Sequence, residues 1–531
     1  MDLARRCTRP QNPGLWGKVR MTDWSAGYVT EVGYTHGFYR ELVPQYLALA
    51  ALARGVAAPG LGSEPIRVLE LGCGQGFSAN LVAAANPHVD YMAIDFNPAH
   101  IAGAQRLAAA AGTPNVHFRE ASFEELAADD GIGQFDLVTL HGIYTWVSAE
   151  NRAYIQRIAR DRLKPGGLLY LSYNTYPGWT SVLPIRRMLI DTAAAHPSAP
   201  IFDRLDAGLK MFGRLADVGA RYLATSPGLA ERMNRVQSLQ RNYVAHEYMN
   251  SDWTIFHFAD VAADMATAKL NHVASAHLLD HIDVVNLTAE QSTLLAEIKD
   301  PIRREGLRDL IVNQQFRRDV FVRGAAPLPQ HEVQEQWADL RFGLSMARAD
   351  VPLKVNATLG DANLQADVYE PVLDALAKEP RTVRQLFENS RVSALGWARL
   401  QQALLVLVGA GHLQPCQDAK GDGKRRERTK AFNTAVMKRA QSSADLQFLA
   451  SPVTGGGVSV DRFAQLFLLG RQQKQADPTQ FAWAVLESQG QRILKDGKTL
   501  QTAEENRAEL RLRYDQFVTK QLPVLEQLGI A

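Results

Sequence analysis

Three alternate glycines close an apolar run in Val68-Leu69-Glu70-Leu71-Gly72-Cys73-Gly74-Gln75-Gly76-Phe77, and no other stretch constrains the fold as strongly. An apolar segment from Ile66 to Leu71, a glycine turn and helix formers from Ser78 to Ala85 read as strand, tight turn and helix. Glycine lets the backbone approach a ligand closely, and a helix N-terminus offers free N–H groups. The carboxylate of Glu70 beside that turn repels a pyrophosphate and attracts a cation, which argues against a dinucleotide despite the superficial likeness to G-x-G-x-x-G.

Further elements follow at informative distances. Asp90 to Ile94 reads as a second strand ending in Asp95, nineteen residues past Gly76, where an acidic side chain accepts hydrogen bonds from ribose hydroxyls. Phe96 follows it directly. Val116 to Arg119 reads as a third strand, with Ser122 and Phe123 placed to hold an adenine edge. Phe135 to His141 is a fourth strand, followed by Gly142. Leu163-Lys164-Pro165-Gly166-Gly167 is a helix stop and turn leading into a fifth strand through Leu171.

This ordered set resembles the class I S-adenosylmethionine (SAM)-dependent methyltransferases, whose G-x-G-x-G turn is preceded by an acidic residue. The resemblance implies an α/β, Rossmann-like, seven-stranded sheet, with SAM as cofactor. It assigns cofactor binding to Glu70, Gly72, Cys73, Gly74, Gly76, Phe77, Asp95, Phe96, Ser122, Phe123, His141 and Gly142. Other phrases narrow the family. Tyr28-Val29-Thr30-Glu31, Tyr34 to Leu42, Tyr173 to Trp179, His246 to Asn250, Asp260 to Leu287 and Ser451 to Thr454 look like bacterial methyltransferases with a methyltransferase regulatory domain and a C-terminal winged-helix-like module. That group includes rickettsial protein-lysine methyltransferases.

Composition limits the alternatives. The 531 residues fit about three domains. Lys+Arg (58) nearly balance Asp+Glu (56), so no global field recruits nucleic acid or an anionic membrane. The three cysteines, Cys7, Cys73 and Cys416, form no C-x-x-C pair; this fits a reducing cytoplasm and offers no zinc site. No run reaches the roughly 18 apolar residues of a membrane span. His277 and His281 flank Asp280 at helical spacing, but no third ligand follows, and no metal is expected.

The expected domains are an N-terminal tail over 1–25, with Met21 as a candidate start, and a methyltransferase domain over 26–325. The sheet's last strands are sought late, at Asn271 to Ala276 and Arg318 to Arg323. This makes about 203–312 a helical insertion or regulatory domain, in two helical parts, over the strand ends where substrate enters. The alternative is a separate helical domain after five strands. A linker over 326–366, a winged-helix-like domain over 367–430 and a C-terminal helical segment over 431–531 complete the chain. The basic run Lys420 to Lys430 would be the wing, and Ser451 to Gly457 a linker. The long helix around Arg399, Gln401 and Gln402 is otherwise apolar, which disfavours DNA reading.

Methyl transfer from a sulfonium needs a positioned nucleophile and excluded water. A lysine acceptor costs roughly 4 to 5 kcal/mol to deprotonate at pH 7, a cost that a dry aromatic pocket reduces. Tyr173, Asn174 and Trp179 after the fifth strand, with His141 after the fourth, are the candidate catalytic residues. Tyr144, Trp146 and Tyr176 are further rings near them. Tyr28, Tyr34 and His36 are candidates for a lid, and Glu247 for attracting a substrate ammonium. The expected acceptor is a protein lysine. A small-molecule acceptor and a non-catalytic SAM-binding scaffold remain alternatives, and nucleic acid is disfavoured because Leu140-His141-Gly142-Ile143 carries no Asn-Pro-Pro-Tyr-like motif.

Overall fold

A computed structural model describes residues 27–226 and 228–531; the expected tail and the candidate start at Met21 lie outside the described residues. Seven strands form the central sheet: β1 Ile66–Leu71, β2 Val89–Asp95, β3 Val116–Glu120, β4 Phe135–Leu140, β5 Leu163–Asn174, β6 Leu270–Ser275 and β7 Phe316–Arg323. Their order is β3-β2-β1-β4-β5-β7-β6. Neighbours from β3 to β5 pair in parallel, whereas β7 runs antiparallel between β5 and β6. The apolar runs of β1, β4 and β5 are buried on both faces, as expected of strands sandwiched between helices. The alternative of a five-stranded sheet followed by a separate helical domain is thereby overturned.

Between β5 and β6 the chain leaves the sheet for helices at Leu183–Ala194, Ile201–Asp217, Leu229–Ser238, Arg241–Tyr248 and Phe258–Thr267. The apolar residues of the first four recur at helical spacing, as in Leu205 with Phe212 and Leu229-Met233-Val236, and bury one another in a core of their own, whereas Val261 and Met265 of the fifth pack into the core of the sheet. Trp179 belongs to that core. Between β6 and β7 lie the helices Ala289–Glu297 and Pro301–Val312.

The region expected as a linker over 326–366 is structured. It holds the helix Gln330–Asp339, the strand Arg341–Leu344 and a hairpin of Lys354–Ala357 with Gly360–Asn363. Arg341–Leu344 is the middle strand of a small antiparallel sheet, flanked by Arg381–Thr382 and Leu413–Cys416. Four residues are too few to show an alternating pattern, which explains why the sequence hides this strand. Helices Ala366–Ala375, Val383–Phe387 and Trp397–Gly409 pack beside it; Thr382 caps the second of them with a capping box.

The basic run expected as a wing lies instead almost wholly in the helix Asp422–Arg439. Arg425 is buried there, donating to the Pro452 carbonyl at 2.8 Å. Nor is Ser451 to Gly457 a solvated linker: every residue in it is buried. The Ser451 hydroxyl donates to the Leu528 carbonyl at 2.7 Å, and Asn86 donates to the Gly455 carbonyl at 2.6 Å. Asn86 ends the helix Phe77–Ala85 that follows β1, and Phe77 and Leu81 share one core with Phe432 and Phe467. The C-terminal helices are therefore packed directly onto the domain that bears the glycine turn.

Candidate functional site

A cavity of about 500 Å³ opens over the C-terminal ends of β1, β2 and β4, where α/β sheets of this type bind ligands, and within the roughly 300–1,000 Å³ of small-molecule sites. The glycine turn forms its floor. Gly72, Gly74 and Gly76 all have positive φ, at 73°, 53° and 63°, a conformation that costs other residues about 1–2 kcal/mol. Their second reasons differ. A Cβ on Gly72 would meet the Ile143 side chain at 2.4 Å, and one on Gly76 would meet Ala104 at 2.5 Å. A Cβ on Gly74 has only Tyr34, at 3.9 Å, so Gly74 leaves room for a ligand whereas the other two leave room for the protein.

Asp95, at the end of β2, is fixed before any ligand arrives. Its Oδ2 accepts the Gly74 N–H at 2.9 Å, and its Oδ1 accepts the Asn97 N–H at 2.9 Å and faces His100 Nδ1 at 3.2 Å. One carboxylate thus couples the glycine turn to the start of the next helix and keeps lone-pair capacity for a ribose hydroxyl. Ser122 caps the helix Phe123–Ala128 through a capping box with Glu125, which positions both Ser122 and Phe123 at the cavity wall. On the opposite side Gly142 donates its N–H to Ser172 Oγ at 2.8 Å, and His141 Nδ1 meets the Tyr170 hydroxyl at 2.7 Å.

The electrostatics favour a cation. Glu70 is buried, and desolvation pushes it up to about 7; the Tyr91 hydroxyl, donating at 2.8 Å, opposes the shift. Burial drives His141 down to about 4 and raises the Cys73 thiol, so both are neutral at physiological pH. Among the described residues the lining includes the acids Glu70, Asp95, Glu124 and Glu150 but no lysine or arginine. These features fit the sulfonium, ammonium and ribose of SAM, and Glu70, Gly74 and Asp95 are the residues that would hold it.

All twelve residues assigned to the cofactor line this one cavity: Glu70, Gly72, Cys73, Gly74, Gly76, Phe77, Asp95, Phe96, Ser122, Phe123, His141 and Gly142. His141 is the one candidate catalytic residue among them. Tyr173 is fully buried and donates to Asp319 Oδ2 at 2.6 Å, within a network that includes Arg317 and His272. Trp179 stacks edge-on with Trp253 and lies under the Arg232 guanidinium at 3.8 Å. Asn174 is buried one layer away from the cavity, donating to Glu247 Oε1 at 3.3 Å. Tyr28 and Tyr34 line the cavity; His36 is not among its lining and faces Asp445 at 3.5 Å. Asp280, between His277 and His281, accepts from His277 and Ser275, and no metal-binding group of side chains exists among the described residues.

Several lining residues have no role that the sequence motifs assign. Tyr39 stacks on His141, and Glu150, Asn151 and Tyr154 line the cavity from one face of the helix Ala149–Arg162. His100 was legible in principle: five residues past Asp95, in the first turn after Pro98, its ring returns to the carboxylate.

Comparisons with known proteins agree with this geometry. A family model described as a methyltransferase domain matches residues 68–167, and one described as a predicted methyltransferase regulatory domain matches 240–323. The latter range includes β6 and β7, so the region so named is woven into the catalytic sheet. An uncharacterised protein of Synechocystis, sll1526, is 41% identical over 508 residues, covering 96% of this chain and all of that protein. An uncharacterised protein of Rickettsia prowazekii, RP789, is 26% identical over 294 residues, 54% of this chain and 51% of its own length. The solved structure of PKMT2 from Rickettsia typhi in complex with AdoHcy superposes with a TM-score of 0.67 at 19% identity, over 91% of this chain and 98% of that one; at that identity the likeness is one of fold.

Proposed function

We propose that this chain, which belongs to the class I SAM-dependent methyltransferases carrying a methyltransferase regulatory domain, methylates a protein at the side-chain amine of lysine. SAM supplies an electrophilic methyl group on a positively charged sulfur. The rest of the chemistry lies in how this chain holds the reactants, excludes water and handles a proton.

The observation that carries the reading is the charge of the cavity. Its described lining holds four acids and no lysine or arginine, and it includes the rings of Tyr28, Tyr34, Tyr39 and Tyr154. An acceptor carrying a carboxylate or phosphate would add a second anion to the methionine carboxylate of SAM, with no lysine or arginine in the described lining to compensate it. An ammonium is attracted by the acids and by the ring faces, the latter for about 0.5 to 2 kcal/mol. The fold shared with PKMT2 is consistent with that assignment.

The deciding experiment is incubation with methyl-labelled SAM and lysate of the source cells, followed by fractionation and amino-acid analysis of the hydrolysed protein. Label is expected in methylated lysine. Label confined to small molecules would overturn the reading in favour of a small-molecule methyltransferase.

A further inference from the structure

The helix Arg241–Tyr248 places a further buried carboxylate, Glu247, near the donor cavity, and no arginine or lysine forms an ion pair with it among the described residues. Glu247 is 7% exposed. Asn174 Nδ2 donates to it at 3.3 Å, and the hydroxyl of Tyr243 is a further donor beside it. The two nearby guanidiniums are engaged elsewhere. Arg232 lies over the Trp179 ring and donates to the Gly178 carbonyl; Arg186 lies over Trp253 and donates to the Asn250 carbonyl. No ion pair to Glu247 occurs among the described residues.

A buried carboxylate held by two hydrogen bonds but by no ion pair is still incompletely compensated, and groups of this kind concentrate at functional sites. The side on which Glu247 lies is informative. Tyr28 and Tyr34 line the donor cavity, and both lie close enough to Glu247 for its charge to act on their hydroxyls; Tyr28 is also within reach of Asp95. The neighbouring residue His246 packs against both rings, at centroid distances of 5.4 and 5.1 Å. Asn174 in turn is tied to the cavity rim, because its N–H donates to Thr145 Oγ1 at 2.8 Å and Trp146, the next residue, lines the cavity.

We propose that Glu247, which lies behind the Tyr28 and Tyr34 side of the donor cavity, receives the ammonium of the acceptor there and takes one proton from it. This rests on the reading that the acceptor is an amine. The arriving ammonium loses a proton to the carboxylate, and its freed lone pair forms the new N–C bond as the C–S electron pair stays with sulfur. The product leaves as a methylammonium, and Glu247 returns its proton to solvent. Burial pushes Glu247 up to about 7, with the Asn174 and Tyr243 hydrogen bonds and the Arg232 and Arg186 charges opposing. A base poised there is matched to neutral pH.

The test uses n-butylamine as a mimic of the lysine side chain, with the full chain saturated by S-adenosylhomocysteine. Calorimetry is expected to show butylammonium binding that weakens at least tenfold in Glu247→Gln, while S-adenosylhomocysteine affinity stays within twofold. Labelled-methyl transfer should fall at least 100-fold in the same variant. Tyr243→Phe, which keeps the carboxylate, should lose only a few-fold in butylammonium affinity and serves if Glu247→Gln fails to fold. A folded Glu247→Gln that binds butylammonium as tightly as the parent, or labels lysine at the parental rate, would overturn this assignment while leaving the lysine reading intact. If label from lysate enters only small amines and butylammonium binding still needs Glu247, the assignment holds and the protein-lysine reading falls.

Discussion

The ring of Tyr39 lies on the imidazole of His141, with centroids 3.8 Å apart and planes 25° from parallel, and both line the donor cavity. The Tyr170 hydroxyl bonds His141 from the sheet. Desolvation is the main cause of the fall of His141 to about 4, so the imidazole is neutral and helps to keep the cavity free of fixed positive charge. Replacing Tyr39 by Ala should let water reach the ring and move its pKa toward about 6.5, whereas Tyr39→Phe should leave it near the parental value. Histidine NMR titration reads this directly. Loss of the aromatic wall should also weaken S-adenosylhomocysteine binding by roughly tenfold, equivalent to about 1.4 kcal/mol. An unmoved titration in the Ala variant would mean that the sheet, not Tyr39, dries the site.

Gly74 and Gly76 should respond differently to the same methyl group. At Gly76 the new Cβ would press on Ala104 and Phe118, at 2.5 and 2.6 Å, in addition to the strain of a positive φ. Gly76→Ala should therefore lose about 3 kcal/mol or more in urea unfolding. Gly74→Ala meets no such obstacle and should lose only about 1–2 kcal/mol. Its methyl enters the ligand space, so S-adenosylhomocysteine affinity should drop at least tenfold. Parental affinity in Gly74→Ala would place the cofactor off this turn.

The donor half of the molecule is legible in the sequence because its determinants are local. Glycines needing positive φ, a carboxylate closing each of two strands and a cap such as Ser122 each declare themselves within a few residues. The acceptor half is not local. Tyr39 meets His141 across the first four strands of the sheet, and Asn174 meets Glu247 across helices inserted between β5 and β6. Tyr173 looked like a pocket residue because it sits near the end of a strand. Side chains alternate along a strand, and its ring lies in the core with Phe256, Val261 and Met265, where the neighbouring strand β7 presents Asp319 to its hydroxyl. The C-terminal region misled for a related reason. A helix rich in Lys and Arg reads as a solvated turn when the carbonyl that Arg425 serves is 27 residues away.

Tyr173→Phe separates structure from chemistry. Its hydroxyl donates to Asp319, which also accepts two hydrogen bonds from Arg317 at 2.9 and 3.0 Å and faces His272 at 3.3 Å. The carboxylate keeps these partners, so the variant should lose about 1–2 kcal/mol of stability, with S-adenosylhomocysteine affinity and methyl-transfer rate within about twofold of the parent. A rate loss above 100-fold at unchanged stability would return Tyr173 to the reacting centre.

Glu70 makes stability and donor affinity depend on pH in opposite ways. The buried carboxyl has its pKa raised from 4.5 to about 7, chiefly by desolvation, so the folded chain holds this proton more tightly than the unfolded one. The resulting stabilisation is fully present below about pH 4.5 and is lost as pH rises through 7. At 1.36 kcal/mol per pKa unit it amounts to about 3 kcal/mol, to order of magnitude. Glu70→Gln lacks this term, so relative to the parent it should gain about that much stability between pH 4.5 and pH 8 in urea unfolding. A bound sulfonium favours ionised Glu70, whereas a neutral thioether does not. The preference of the parent for SAM over S-adenosylhomocysteine should therefore grow as pH rises through 7, and the variant should lose that growth. A preference independent of pH in both proteins would mean that Glu70 does not sense the charge on sulfur and that the cavity's selectivity for the donor arises at Asp95 and the tyrosines instead.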